Sequence, residues 1–402
     1  MQQIDWIVLI GTLLFIVSFG AYKTKGSKNV NDYIKGGSEA KWWTIGLSVM
    51  ATQASAITFL STPGQAFHSG MGFVQFYFGL PIAMVVICLV FIPIYHKLKV
   101  FTAYEYLETR FDLKTRSLAA ILFLIQRGLA AGITIFAPAI ILSAVLGWDL
   151  TTLNIVIGVL VIIYTVAGGT KAVNVTQKQQ MAVIFAGMFV AFYLIVSYLP
   201  ADISFSKALK IAGASGKMEI LDFSFNLDNR YTFWSGIIGG SFLALSYFGT
   251  DQSQVQRYLS GKSVKEMQLG LIFNGLLKVP MQFFILLVGV MVFVFYQFNA
   301  SPLNFNPAAT KIVQNSEYAE AYKVLENKHK EIEVLKSDAN LKYGNNLNDK
   351  ALVSEIQYIN SLEIENREQA KELINKADAT AETNDKDYVF IHFILNNLPR
   401  GL

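Results

Sequence analysis

The chain has 402 residues, of which 53% are hydrophobic and only 15% charged, against about a quarter charged in soluble proteins. This composition excludes an ordinary soluble domain and predicts a multi-span, all-α membrane protein. The net charge of +4 identifies no partner; the single Cys88 precludes an intrachain disulfide, and the four His lack metal-ligand spacing.

Windows of about 20 apolar residues predict eight spans, at 5–22, 42–62, 72–97, 117–146, 150–167, 178–199, 232–250 and 268–298. The first is followed by Lys23, Lys25 and Lys28 and has no basic residues before it. It therefore reads as a retained span, not a cleaved signal. The second, Trp42–Gly64, has a small, polar middle, Ala51-Thr52-Gln53-Ala54-Ser55-Ala56, and ends in Pro63-Gly64. Small residues permit close helix packing. They also suit a broken helix whose freed carbonyls are covered by hydroxyls and amides, the kind that binds ions and substrates in secondary transporters.

The fourth span carries Arg127 and the eighth carries Lys278, with Pro280 beside it. A charge at a span centre costs roughly 2.5–3.5 kcal/mol. Such a residue either faces a cavity or snorkels to the membrane surface. Neither cation has an obvious acidic neighbour in sequence, and Asp251 stands at the inner end of the seventh span. Two fixed cations facing a cavity favour an anionic solute. Between the fifth and sixth spans, Gly168-Gly169 reads as a tight turn. In the seventh, Gly239-Gly240-Ser241 permits close packing, and Ser246–Thr250 is a second expected interruption, a pairing that points to a midplane site.

Loops 23–41, 96–116, 168–177 and 251–267 carry Lys and Arg, whereas 63–71 and 147–149 carry none and 200–231 is mixed. The bias places the N-terminus and the end of the eighth span outside. All five Trp fall at span ends, as interfacial anchors do. Residues 299–386 read as an extracytoplasmic, water-soluble helical hairpin. Its seam is Tyr318, Tyr322, Leu325, Ile332 and Leu335 against Leu352, Ile356, Ile359, Leu362 and Leu373, with a turn at Tyr343–Asn346. A solvated face without a specific partner is the plain reading of its charges. Residues 387–402 read as the approach to a further span, as if the sequence were cut there. No nucleophile–base arrangement, phosphate loop or carboxylate pair argues for an enzyme, and nothing for nucleic-acid binding.

Over about residues 30–300 the chain resembles the sodium–solute symporters. The resemblance rests on Asp32-Tyr33 before Trp42-Trp43, the interrupted second span, Ala103-Tyr104-Glu105-Tyr106-Leu107-Glu108-Thr109-Arg110-Phe111, Gly168-Gly169-Thr170-Lys171-Ala172-Val173, and Gln254-Val255-Gln256-Arg257-Tyr258-Leu259. Gly132–Ala139 and Asp251–Tyr258 are most similar to the iodide, monocarboxylate and vitamin branch. The resemblance implies an inverted repeat of two five-helix units behind one leading span, over a core at 1–298. The first repeat would run about 42–199, and 232–298 would begin an incomplete second.

It further implies sodium as the coupling ion and no other cofactor. Backbone carbonyls of Ala51 and Ala54 would supply half of the sodium site, the remaining ligands lying beyond Leu402. Ser55, Thr58, Phe76 and Tyr77 would face the substrate. Tyr247 would be the inner aromatic gate, with Phe248 beside it, and Lys278 would match a substrate-contacting lysine. Tyr77 and Ala244 stand where sugar carriers place a carboxylate and an amide, which argues against a hexose. Gln177 replaces the family's Asp. The function implied is sodium-coupled uptake of a small organic anion across a bacterial inner membrane, with Arg127 and Lys278 as candidate carboxylate partners. The alternatives are symport of a neutral solute such as a sugar or polyol, and a non-transporting solute sensor.

Overall fold

The computed structural model describes residues 3–23, 39–55, 57–146, 148–226 and 228–401. Asp32-Tyr33, Lys25, Lys28, Lys35 and Ala56 lie outside the described residues. The described residues form helices joined by turns and loops, with no strand and one isolated bridge between Ala40 and Gly261. In chain order the helices are α1 (Gln3–Lys23), α2 (Trp42–Gln53), α3 (Thr62–Ser69), α4 (Gly79–Val86), α5 (Ile92–Leu98), α6 (Glu105–Arg110), α7 (Leu113–Leu146), α8 (Leu150–Ser197), α9 (Phe205–Ala214), α10 (Gly240–Gly249), α11 (Gln252–Leu259), α12 (Val264–Phe298), α13 (Pro307–Gln314), α14 (Ala319–Asn345), α15 (Lys350–Ala377) and α16 (Lys386–Asn397). Short π segments precede α3, α5 and α10, and a 3-10 segment, Gly70–Tyr77, precedes α4.

Four described helical runs are long and apolar enough to cross a membrane: Ile57–Leu98, Leu113–Ile140, Thr176–Ser197 and Val264–Phe298. Three shorter apolar helices are Gln3–Ile16, Leu150–Ile162 and Ser235–Gly249. Helix α7 turns Leu118, Ile121, Leu122, Ile125 and Leu129 outward, which suits a hydrocarbon surround. Helix α12 is the opposite, with an unbroken buried run from Val288 to Gln297. It runs beside α2 and α3. Gly270 lies against the Trp42 carbonyl and Ile45, and Gly289 against Pro63.

Three sequence expectations need correction. Pro63-Gly64 does not end a span; Pro63 sits in the first turn of α3, where its missing N–H costs nothing, and the chain turns instead at Gly70, with φ +73°. The turn expected at Gly168-Gly169 is absent, because α8 runs unbroken through 168–177. Glycine in a helix costs about 1 kcal/mol relative to alanine but removes no hydrogen bond, so a Gly pair alone does not end one. Ser246–Gly249 is helical as well. The backbone opens one residue later, at Thr250, whose N–H and hydroxyl both bond the Ser246 carbonyl.

The 299–386 segment contains a hairpin, α14 against α15, with α13 packed beside it. Its turn falls at Asn346–Asp349, with Asn348 at φ 81°, not at Tyr343–Asn346. Gly344 is small because a Cβ there would meet Ile203 at 2.6 Å, not because the chain bends. Leu335 is 52% exposed, and the seam position beside it belongs to buried Lys336. Tyr388, Val389, Phe390 and Phe393 of α16 are buried in the same core as α12 and α3.

A close helix contact joins the 3-10 segment and α4 to α10 and the π segment before it. A Cβ on Gly236 would stand 2.0 Å from the Gln75 carbonyl, and one on Gly79 would stand 2.2 Å from the Ser241 amide. Gly239 has open space instead. Gly236→Ala should therefore destabilise by about 1–3 kcal/mol, whereas Gly239→Ala should not lower the melting temperature. Equal melting of the two variants would contradict this packing.

Candidate functional site

The chain leaves helical geometry after Gln53. Ala54, at φ −89° and ψ 80°, caps α2 by donating its N–H to the Met50 and Ala51 carbonyls. The freed carbonyl of Gln53 accepts the Thr58 hydroxyl at 3.3 Å, and that of Ser55 accepts the Thr58 N–H at 3.0 Å. The break is thus stabilised by its own small polar residues, as the lack of water in a membrane interior requires.

Beside the break lies a cavity of about 310 Å³ whose walls include Gln53, Phe76, Tyr77, Leu80, Ala244, Tyr247, Phe248 and Lys278. Phe76, Tyr77, Tyr247, Phe248 and Lys278 were expected at a site and come together here. Ser55 and Thr58 sit past Gln53 in the break and are not part of this wall. The Ala51 carbonyl carries the Ala54 N–H at 3.1 Å, which leaves a second lone pair for a hard, oxygen-seeking cation.

The aromatic wall residues are held from behind. The Gln75 amide donates to the Gly72 and Tyr231 carbonyls at 3.2 and 3.0 Å and accepts the Asp222 N–H at 2.8 Å, fixing the segment that carries Phe76 and Tyr77. The Tyr247 hydroxyl accepts from Gln254 at 2.8 Å. Carbonyls at the end of α10 are capped by tyrosines, Gly249 by Tyr95 at 2.7 Å and Phe248 by Tyr258 at 3.2 Å. Gln252 ties α11 to the Phe101 carbonyl and the Ala103 amide at 2.8 and 3.1 Å.

The two intramembrane cations differ. Arg127 pairs with Asp251 and lies over the Tyr247 ring, 5.5 Å from its centroid. It therefore has the acidic neighbour that the sequence did not reveal, and it stands behind Tyr247 instead of in the cavity wall. Lys278 is 2% exposed, with its ammonium 5.8 Å from the centroid of the Tyr77 ring. Among the described residues it forms no ion pair. The Arg127–Asp251 pair is partly exposed on the Arg side, at 29%. A double-mutant cycle of Arg127→Gln and Asp251→Asn should accordingly give a coupling of about 1 kcal/mol. Additive melting shifts would sink the pairing.

Sequence reasoning missed a second polar node. The Ser48 hydroxyl lies 2.6 Å from Asn174 Oδ1 and 2.9 Å from Gln177 Oε1, and Gln177 donates to the Thr52 hydroxyl at 3.2 Å. Gln177 therefore fastens α8 to the face of α2 that leads into the break. The four-residue spacing of Ser48 and Thr52 was the available signal.

Residues 33–327 match the family model described as Sodium:solute symporter family. The chain belongs to the sodium:solute symporter family. It is 35% identical over 273 residues to human sodium-coupled monocarboxylate transporter 1, covering 67% of this chain and 44% of that protein. It is 30% identical over 298 residues to the human sodium/iodide cotransporter, covering 72% of this chain and 46% of that one. The chain thus spans less than half the length of these relatives. It is also similar in structure to a Na+-coupled sialic acid symporter solved in a substrate-bound outward-open state. The TM-score is 0.65 and the identity 25%, with 98% of this chain and 78% of that chain covered.

Proposed function

We propose that this chain forms the cavity-bearing part of a sodium-coupled symporter that takes up a small, monocarboxylate-like anion by alternating access. The observation that carries this reading is Lys278. An ammonium buried in an aromatic cavity with no ion-pair partner among the described residues is costly, and a carboxylate entering the cavity would offset that cost. The relatives' names support the same class. Sodium would sit at the break, on the Ala51 and Ala54 carbonyls. Coupling then follows if sodium and solute stabilise the same state, each raising the other's affinity. Ser55 and Thr58 complete the proposed substrate residues, and Tyr247 with Phe248 closes the cavity toward Arg127 and Asp251. An inverted repeat of five-helix units is part of this proposal.

Uptake of a labelled small monocarboxylate by cells expressing the protein should fall when choline replaces sodium; sodium-independent uptake would overturn the proposal. A neutral solute is the second reading, favoured by the neutralisation of Arg127, which leaves one unpaired cation at the site.

If the basic loops 23–41, 96–116 and 251–267 lie inside, as their Lys and Arg imply, residues 299–386 lie outside. In a Cys88→Ala background, Val334→Cys, at a position 70% exposed, should react with a membrane-impermeant maleimide in intact cells. Labelling only after permeabilisation would reverse the orientation.

A further inference from the structure

A second cavity, of about 100 Å³, lies where the hairpin meets α3 and α12. His68 at the end of α3, Lys217 beyond α9 and Phe293 of α12 form one side of it, and Asn360, Glu363 and Arg367 of α15 the other. It is distinct from the cavity at Lys278, because Phe293 stands about 22 Å further along α12 at about 1.5 Å per residue. Ile364, also in its wall, is 59% exposed, so the cavity reaches the protein surface.

The charges in this wall do not balance. Arg367 holds one carboxylate oxygen of Glu363 at 3.1 Å, and Lys336, which is not in the wall, holds the other at 2.9 Å. His68 is pushed down to about 4, chiefly by burial, and so adds no charge at pH 7. Asp385, 3.5 Å from the His68 ring, is not in the wall. Lys217 forms no ion pair among the described residues. Its ammonium donates to the His68 carbonyl at 2.6 Å and lies 5.0 Å from the centroid of the Phe293 ring. Both partners are wall residues, which places the ammonium at the cavity. Burial pushes it down to about 8, with Glu363 acting the other way, so it is still charged at pH 7. Two of its three N–H groups are unused, and a partly buried ammonium without a counter-ion is costly. The Asn360 side chain, in the same wall, makes no hydrogen bond among the described residues and offers two neutral N–H groups.

We propose that this cavity is a binding site for one small monovalent anion, a halide or a short carboxylate, held by Lys217 and Asn360 between the core and the hairpin. One uncompensated cation matches one negative charge. The rest of the wall includes Phe67, Phe293 and Ile364, whose apolar surface disfavours a strongly hydrated divalent anion. Lys217 is tied to α3 through the His68 carbonyl, and Asn360 belongs to α15. An anion that both of them hold therefore fastens the hairpin to the core. The site does not depend on what Lys278 binds.

The test is hydrogen exchange of the purified protein at pH 7, at fixed sodium and ionic strength, with bulky gluconate as the reference anion. Replacing about 0.2 M gluconate by chloride should slow exchange across residues 357–367 by about fivefold, because a ligand that binds only the closed arrangement suppresses its opening. Formate separates the two sources. Slowing by chloride alone makes this a halide site, and slowing by formate makes it one that accepts a short carboxylate. Lys217→Gln keeps an N–H for the His68 carbonyl but removes the charge, and its exchange should not respond to either anion. Asn360→Leu leaves the charge in place and should raise the anion concentration required severalfold. Lys278→Gln should respond as wild type does; a response lost in that variant would assign the effect to the other cavity and overturn the proposal. Equal exchange in gluconate, chloride and formate would overturn it, as would an anion response that Lys217→Gln retains in full. Should Lys217→Gln not fold, an Asn360→Leu response identical to wild type would overturn it.

Discussion

Replacing Lys278 by glutamine should cut sodium-dependent carboxylate uptake by about tenfold to a hundredfold while leaving the protein at least as stable. The first half follows from the value of a hydrogen bond to a charged group, about 1.5–3 kcal/mol. The second follows from burial. Lys278 is 2% exposed and, among the described residues, has no ion-pair partner, so its charge is desolvated with only the Tyr77 ring face to offset the cost. Removing the charge relieves that penalty. The combination separates a solute-binding lysine from a structural one, whose loss would lower the melting temperature together with uptake. Lys278→Met should behave likewise, with uptake lowered further because it cannot donate. Unchanged uptake by Lys278→Gln at unchanged expression would decide for the neutral-solute reading. Binding shows the same effect without transport. Carboxylates that bind only the folded protein raise its apparent stability in proportion to their occupancy, and this shift should vanish in Lys278→Gln.

The cavity was legible in the sequence to an uneven degree. Lys278 stood out because a charge inside an apolar span is rare, and the broken helix stood out because Thr52, Gln53 and Ser55 interrupt an otherwise apolar run. Phe76, Tyr77, Tyr247 and Phe248 came from the family resemblance. Aromatic residues are common in membrane spans, and their spacing does not say which of them line a cavity. The Arg127–Asp251 pair was hidden because residues 124 positions apart in different helices leave no periodic signal. The continuity of α8 was hidden for a different reason. Glycine pairs occur both in turns and at close helix contacts, so Gly168-Gly169 does not by itself distinguish the two. The hairpin seam was read through apolar periodicity, which found Tyr322, Ile332, Ile356 and Ile359. It passed over His329, Lys336, Asn340 and Glu363, buried polar residues that each have a polar partner.

That matching supplies the largest expected stability effect. Lys336 donates to Glu363 at 2.9 Å, and Arg367 holds the other carboxylate oxygen at 3.1 Å while also bonding the Leu303 carbonyl at 2.8 Å. Glu363→Gln would leave two buried cations without their anion and should destabilise the hairpin by about 3–5 kcal/mol. Replacing Glu363, Lys336 and Arg367 together by apolar residues of similar size should cost far less. Acid should act in the same direction. Burial pushes the Glu363 carboxyl up, but Lys336 and Arg367 outweigh it and hold the group well below the usual carboxylate range. Its stabilisation is therefore present above about pH 4.5 and shrinks as pH falls further. His329 is pushed down to about 4, chiefly by burial, with Arg367 and Lys336 adding to the effect. The unfolded chain takes up that proton near pH 6.5 and the folded one does not, so stability falls from pH 6.5 toward 4. Hydrogen exchange across α14 and α15 should accordingly lose protection first between pH 6.5 and 4, and His329→Gln should flatten that part of the profile. Protection unchanged between pH 7 and 4 would contradict the buried placement of His329. Because Asn340 of α14 bonds Gln297 of α12 at 3.2 Å, a loosened hairpin also frees the end of the helix that carries Lys278.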